Sequence, residues 1–550
     1  MIEEGSGGKK ARRIGVAVSG GGHRAATWGF GAMLALVDSG VNGDVVSVAS
    51  VSGGSIANGV VAQRLDYTRT DRTQFESAIA PALRSIAFDG LFFFGPSTNG
   101  YIAWLFAAIG LALGALIGLV ASAVMAGRAT ALWWTLLVGP VVATLLGAVW
   151  LRKSKLPGPF TALMYAVAVL IPSLFCLGGV ALVRGRHGGD LAWRLTVVAL
   201  VAVAVFWLAL RTFARRSQVV DDGLAQVHYP GGGAPPTLLR DVDRTAHHLF
   251  CATELQAGDH VYFSPRMVYS YRAGRGIPGE MKLSTAVQSS SCFPGGMLPR
   301  ELDTAGFALQ RPWQVEDGMP PGIPSTLVVN DGGVYDNMAD QWEQGFDDRA
   351  KRIPDLHQLQ APATHLVVVN AGKALGWGAM GRTGALTREV RALTRTVSVL
   401  YDVTTSHRRQ GMVRRFRDTE TQASGLDGAL VHIAQSPFDI PRAFGDSPDP
   451  DQRVRAAQAM TTLQQLGADE STWARRAGDN SRVKTTLRAL GTTTVDLLEH
   501  GYWLATINLY VIFGWGSLTE VSRFKRDRFE RLSGYQVVPG PDPVAAGGQG

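Results

Sequence analysis

The sequence predicts an α/β fold, a mostly parallel sheet flanked by helices and interrupted by an inserted four-helix transmembrane bundle. Three observations predict it. Two β-turn-α units follow one another near the start; further strand candidates return much later; and between them runs an apolar block with no Asp or Glu from Gly90 to Gly189.

The first unit opens with the strand candidate 13–18, and the glycines at 20–22 mark its turn. A helix over 24–39 follows, with Trp28, Phe30, Met33, Leu34 and Leu36 spaced to pack on a sheet. The second unit repeats the grammar, with a strand over 45–51, a turn at Ser52 and a helix over 56–65. Consecutive units of this kind argue for parallel strands. A Gly/Pro-rich loop at 230–236 precedes strand candidates at 248–254, 260–264, 325–330 and 364–370. From about 379 the pattern turns helical, and the last ten residues are expected to be disordered. No repeat of fixed period is present.

Four apolar segments inside the block, 101–126, 130–151, 160–183 and 191–210, are long enough to span a bilayer core. An even number of crossings returns the chain to its starting side, which two motifs on either side of the block require if they share a site. Gly110, Gly114 and Gly118 form a small-residue stripe for close helix contact, through which oligomerisation can proceed. Trp104, Trp133, Trp134, Trp150 and Trp193 lie near span ends, as interfacial anchors do. Six basic residues (Arg152, Lys153, Lys155, Arg211, Arg215, Arg216) flank one side against four (Arg128, Arg184, Arg186, Arg194) on the other. With a polar N-terminus lacking a secretory signal, this charge bias predicts a multi-pass inner-membrane protein with its soluble domain in the cytoplasm. The division follows: residues 1–100, 101–211 (the insertion), 212–378, and a helical region over 379–550.

The chain has 550 residues and a net charge of +8. Its three cysteines, Cys176, Cys251 and Cys292, exclude a disulfide framework as the source of the fold. No metal site, cofactor or nucleic-acid partner is expected. The pattern G-x-G-x-x-A at Gly20, Gly22 and Ala25 could belong to a dinucleotide site, but the next strand ends in Ser50 and Ser52 rather than in an acid for the ribose. Acyl transfer needs a nucleophile on a sharp turn, a base and backbone donors for an oxyanion. Ser52 meets the first need, with Gly54 two positions on and Ser50 where a glycine is usual. Gly20, Gly21 and Gly22, at a helix N-terminus and aided by Arg24, meet the third. Asp331, following Leu327-Val328-Val329 and preceding Gly332 and Gly333, ends a strand, where active sites of open α/β sheets gather.

Ser19 to Arg24, Ser52 and Asp331-Gly332-Gly333, in that order, resemble the patatin-like phospholipase family. The small-residue and proline segment 284–296 and Asn337 extend the resemblance, which covers roughly 13–100 and 240–375. It implies a patatin-like sheet and a Ser52–Asp331 dyad in place of a triad, with Gly20, Gly21 and Gly22 donating to the oxyanion and Gly54, Gly332, Gly333 and Asn337 supporting. An aspartate is a weak base toward a hydroxyl, so such a dyad requires desolvation of the carboxylate. A triad using one of the eleven histidines is the competing arrangement. The implied activity is hydrolysis of phospholipid or lysophospholipid esters through an acyl-serine, with a membrane lipid as substrate and the bilayer as partner. Acyl transfer between lipids by the same dyad, or a transporter or receptor carrying an inactive patatin-like domain, are the alternatives. The stretch 388–417, with eight arginines and two acids and with Val390, Leu393, Val397 and Leu400 along one face, either lies on anionic headgroups or packs on the domain. The apolar run 502–514 is too short for a further span and reads as a buried or interfacial helix.

Overall fold

The computed structural model describes residues 12–91 and most of 200–535, leaving aside 231–234, 295, 315–318, 373–374, 376–384, 420–425 and scattered positions within 201–212. The chain divides into two compact units, Met1–Leu91 with Leu224–Gly550, and Phe92–Gly223.

The first unit is built on a ten-stranded sheet. Its strands are β1 (Ile14–Val18), β2 (Val45–Ser50), β3 (His247–Glu254), β4 (Asp259–Phe263), β5 (Val268–Ser270), β6 (Gly274–Gly276), β7 (Arg300–Asp303), β8 (Thr326–Asp331), β9 (His365–Asn370) and β10 (Asp427–His432). The order runs β10-β9-β1-β2-β3-β4-β5-β6, with β8 also on β3 and β7 on β8. The five strands from β10 to β3 are parallel, and every pairing beyond them is antiparallel. The sheet is therefore mixed rather than mostly parallel. The short strands β5, β6 and β7 carry too little periodicity to show in sequence, and β10 lies in a stretch that reads as helical.

Two helices, α1 (Gly22–Asp38) and α2 (Gly53–Arg64), follow the first two strands. A third, α3 (Leu283–Ser290), packs against α2 and β3. The long α4 (Ala385–Thr419) runs back to β10, and α5 (Thr493–Asn508) lies along α1. One sheet face presents Ala17, Ala49, Leu249, Cys251, Leu366 and Val368 to Met338, Trp342, Phe346 and, from α4, Met412. Burial on both faces explains why β1 reads as an unbroken apolar run.

The apolar run starting at 502 continues α5, with Tyr502, Leu504, Ile507, Leu509 and Val511 all buried in the protein. Most of the four predicted spans lies outside the described residues. Among the described residues no helix is long and apolar enough to cross a membrane. That finding overturns the placement as a multi-pass inner-membrane protein with a cytoplasmic domain, and it leaves the inserted bundle without support. At the described end of the fourth run the apolar residues Trp207, Leu208 and Leu210 give way to Arg211, Arg215 and Arg216, which closes off apolar length there. The side chains of Val390, Leu393, Val397 and Leu400 and the C-terminal tail likewise fall outside the described residues.

Candidate active site

After β2 the backbone turns at Ser52, whose φ of 52° and ψ of −120° a non-glycine residue rarely adopts. The turn is held from below by α3. The Ser52 N–H donates to the carbonyl and the Oγ of Ser290, each at 3.1 Å, and Ser291 Oγ donates to the Ser52 carbonyl at 2.9 Å. A Cβ added to Gly53 would stand 2.0 Å from the carbonyl oxygen of Gly22, and one on Gly54 would meet that of Val18 at 2.4 Å. The glycines after the serine are thus required because the loop between β1 and α1 lies directly on them. Ser50 fits because its hydroxyl is satisfied inside: it donates to Leu249 O at 2.9 Å and accepts from Ser55 Oγ at 3.0 Å and Asn58 Nδ2 at 2.9 Å.

Asp331 arrives from the opposite direction. In register, Ser50 pairs with Phe250 and Asp331 with Ala252, so β2 and β8 approach end to end along one edge of β3. Two strands distant in sequence therefore stop beside each other. The Asp331 carboxylate accepts from the Gly333 N–H at 2.8 Å and lies near enough to the Ser52 hydroxyl for that hydroxyl to favour its anion. It is 2% exposed. Burial pushes its pKa up to about 6 although the Gly333 N–H and the Ser52 hydroxyl both favour the anion. Among the described residues no histidine hydrogen-bonds Ser52 or Asp331.

Gly332 leaves no room for a side chain, since a Cβ would lie 2.2 Å from the Cys251 carbonyl. Asn337 joins the acid loop to the glycine loop: its carbonyl accepts from the Gly20 N–H at 3.0 Å, and its Oδ1 lies against both Gly20 and Gly333. The Gly20 N–H is thereby committed, which removes it from the expected oxyanion donors. Gly21 and Gly22, with φ of 146° and 62°, form the turn at the head of α1, where first-turn N–H groups lack an acceptor within the helix. Arg24 is buried behind that turn. Its guanidinium donates to the Val483 carbonyl, its Nη2 stands 2.9 Å from where a Cβ of Gly21 would be, and desolvation lowers its pKa to about 10.

Sequence reasoning singled out 284–296 without resolving that Ser290 and Ser291 hold the turn at Ser52, or that the Cys292 carbonyl accepts from the Asp331 N–H at 3.1 Å. It missed Tyr401 of α4, whose ring edge lies 3.0 Å from where a Cβ of Gly333 would be. No local pattern marks that residue. Cys251 and Cys292 are buried and form no disulfide, and the Cys292 Sγ donates to the Leu298 carbonyl at 2.7 Å.

No protein-family profile and no curated protein matches the chain. Among solved structures it is similar to human GIVD cytosolic phospholipase A2, at 12% identity and a TM-score of 0.38, with 95% of this chain and 60% of that one covered. The chain thus spans 60% of that structure's length. It is also similar to VipD from Legionella pneumophila, at 11% identity and a TM-score of 0.21, with 94% of each chain covered. Likeness this distant carries no argument about the site, whose reading rests on its own geometry.

Proposed function

We propose that the chain is a serine lipid acyl hydrolase that cleaves phospholipid or lysophospholipid esters through an acyl-serine intermediate. The observation that carries this reading is the placing of a serine on a strained strand-to-helix turn beside a buried carboxylate with a raised pKa. In this scheme the Ser52 Oγ attacks the ester carbonyl carbon while its proton passes to Asp331. The carbonyl oxygen becomes an oxyanion facing the Gly21 and Gly22 amides and the positive end of α1. The C–O bond to the alcohol breaks, that alcohol leaves with the proton from Asp331, and the acyl group stays on Ser52. Water then attacks the acyl-serine carbonyl and gives its proton to Asp331; the bond to Ser52 Oγ breaks, that proton returns to the Oγ, and the fatty acid leaves. The resemblance of the glycine loop, serine turn and Asp-Gly-Gly element to patatin-like phospholipases supports a lipid ester as substrate.

A fluorophosphonate probe should add once, at Ser52, located by peptide mass. Its rate should rise with pH through about 6, because Asp331 must be ionised to take the proton. An adduct elsewhere, or none on folded protein, refutes the reading.

A further inference from the structure

Directly after the dyad acid, the chain folds over a second group of buried charges that the chemistry above does not use. Asp336 and Asp340 are 1% and 0% exposed. Asp336 Oδ1 accepts from the Met338 N–H at 3.0 Å and its Oδ2 from the Gln341 N–H at 2.9 Å, which closes the loop that carries Asn337. Arg408 reaches down from α4 to place its Nη2 3.4 Å from Asp336 and 3.1 Å from Asp340, and it also donates to Gln341 Oε1 at 3.0 Å. Tyr401, seven residues earlier and so on the same face of α4, is the residue packed on Gly333. One helix face therefore meets both ends of the loop from Gly333 to Gln341.

We propose that Arg408, Asp336 and Asp340 form a buried cluster holding a single proton, with Arg408 as a positioning residue that keeps the Asn337 loop, and through it the dyad and glycine loops, in place. Two carboxylates beside one guanidinium would leave a net negative charge away from water, which a shared proton avoids. Asp340 also accepts from the Gln344 side-chain amide; burial together with the Asp336 anion holds Asp340 well above the usual carboxylate range, while Arg408 draws Asp336 below it. Asp336 is the anion that ties the loop, and Asp340 carries the proton. The other titratable groups facing the cluster are His260 and Tyr262 of β4, Cys251 of β3 and Arg349; His260 is kept neutral by burial, and burial holds Tyr262 and Cys251 protonated. Raising the pH removes the Asp340 proton, restores the unbalanced charge and weakens the loop.

The inference rests on the proposed Ser52 chemistry for its activity readout, so a second readout is independent of it. In the full chain, the rate of Ser52 modification by a fluorophosphonate and hydrogen exchange at the Met338 and Gln341 amides are measured in Asp340→Asn, Asp336→Asn, Arg408→Met and Arg408→Lys. Asp340→Asn keeps the shape and an oxygen for Arg408 but has no proton to lose, so it should stay within about twofold of the parent at neutral pH and lose the parent's alkaline decline. Asp336→Asn and Arg408→Met should lose about tenfold or more in modification rate and exchange faster at both amides, with Arg408→Lys between, because it keeps the charge without the fork. If Arg408→Met does not fold, Arg408→Lys and the contrast between the two aspartates decide. Equal losses in Asp340→Asn and Asp336→Asn, or parent-like behaviour in Asp336→Asn, overturn the inference. Faster exchange in a protein whose Ser52 never reacts would leave the cluster standing and sink the hydrolase reading.

Discussion

The two halves of the proposed dyad are built in different ways. Ser52 sits on a local device, a strand, a strained turn and two glycines within a few residues, and it is only partly buried. Asp331 is buried by distant partners: β3 pairs its strand, α3 and Cys292 hold its backbone, and Tyr401 covers the loop that follows. The serine half stores strain in the backbone, whereas the acid half stores it as a carboxylate removed from water. Removing one functional group from each half should therefore change stability differently while abolishing the same activity.

Ser52→Ala should lose roughly three to six orders of magnitude in ester turnover and leave thermal unfolding almost unchanged, because the hydroxyl contributes one hydrogen bond. Turnover within tenfold of the parent would break the comparison at its first step. Gly53→Ala should destabilise by about 3 kcal/mol or fail to fold, since the added carbon meets the Gly22 backbone, which cannot give way as a side-chain end could. A chemical denaturation midpoint equal to the parent's would show that the two loops are not in contact.

Asp331→Asn sharpens the difference between the halves. It should be as inactive as Ser52→Ala, yet more stable than the parent by about 2 kcal/mol at pH 8, the amide oxygen taking the Gly333 N–H and the amide nitrogen donating to Ser52. The sign follows from the raised pKa. The stability tied to neutral Asp331 is fully present below the unfolded value near 4 and is lost as pH rises through about 6, so the gain should vanish on acidification. A variant less stable than the parent at pH 8 would mean that the carboxylate is favourably held.

Much of the serine half was legible in the sequence. An apolar run, small residues at a turn and a helical pattern lie within one short window, and Gly53 and Gly54 announce the close approach they permit. The acid half showed Asp331, the glycines after it, Asn337 and the small-residue segment 284–296, without the contacts that join them. The roles of Ser290, Ser291, Tyr401 and Arg408 carry no local signature, because each acts through a contact with residues far away in the chain. The apolar block read as membrane spans was judged by local hydropathy, and so was the run from 502; the latter is apolar because it is buried against α1. Local hydropathy does not distinguish burial in protein from burial in lipid.

By itself the sequence determined the two β-turn-α units at the start of the sheet, the turn at Ser52 and the strand end at Asp331, because periodicity and turn chemistry act over neighbouring residues. Tertiary structure alone decided that β2 and β8 stop side by side on β3, that the Gly20 amide is consumed by Asn337, and that α4 closes over the acid loop. Strand register and desolvation are properties of the assembled sheet, and no stretch of chain holds them before it folds.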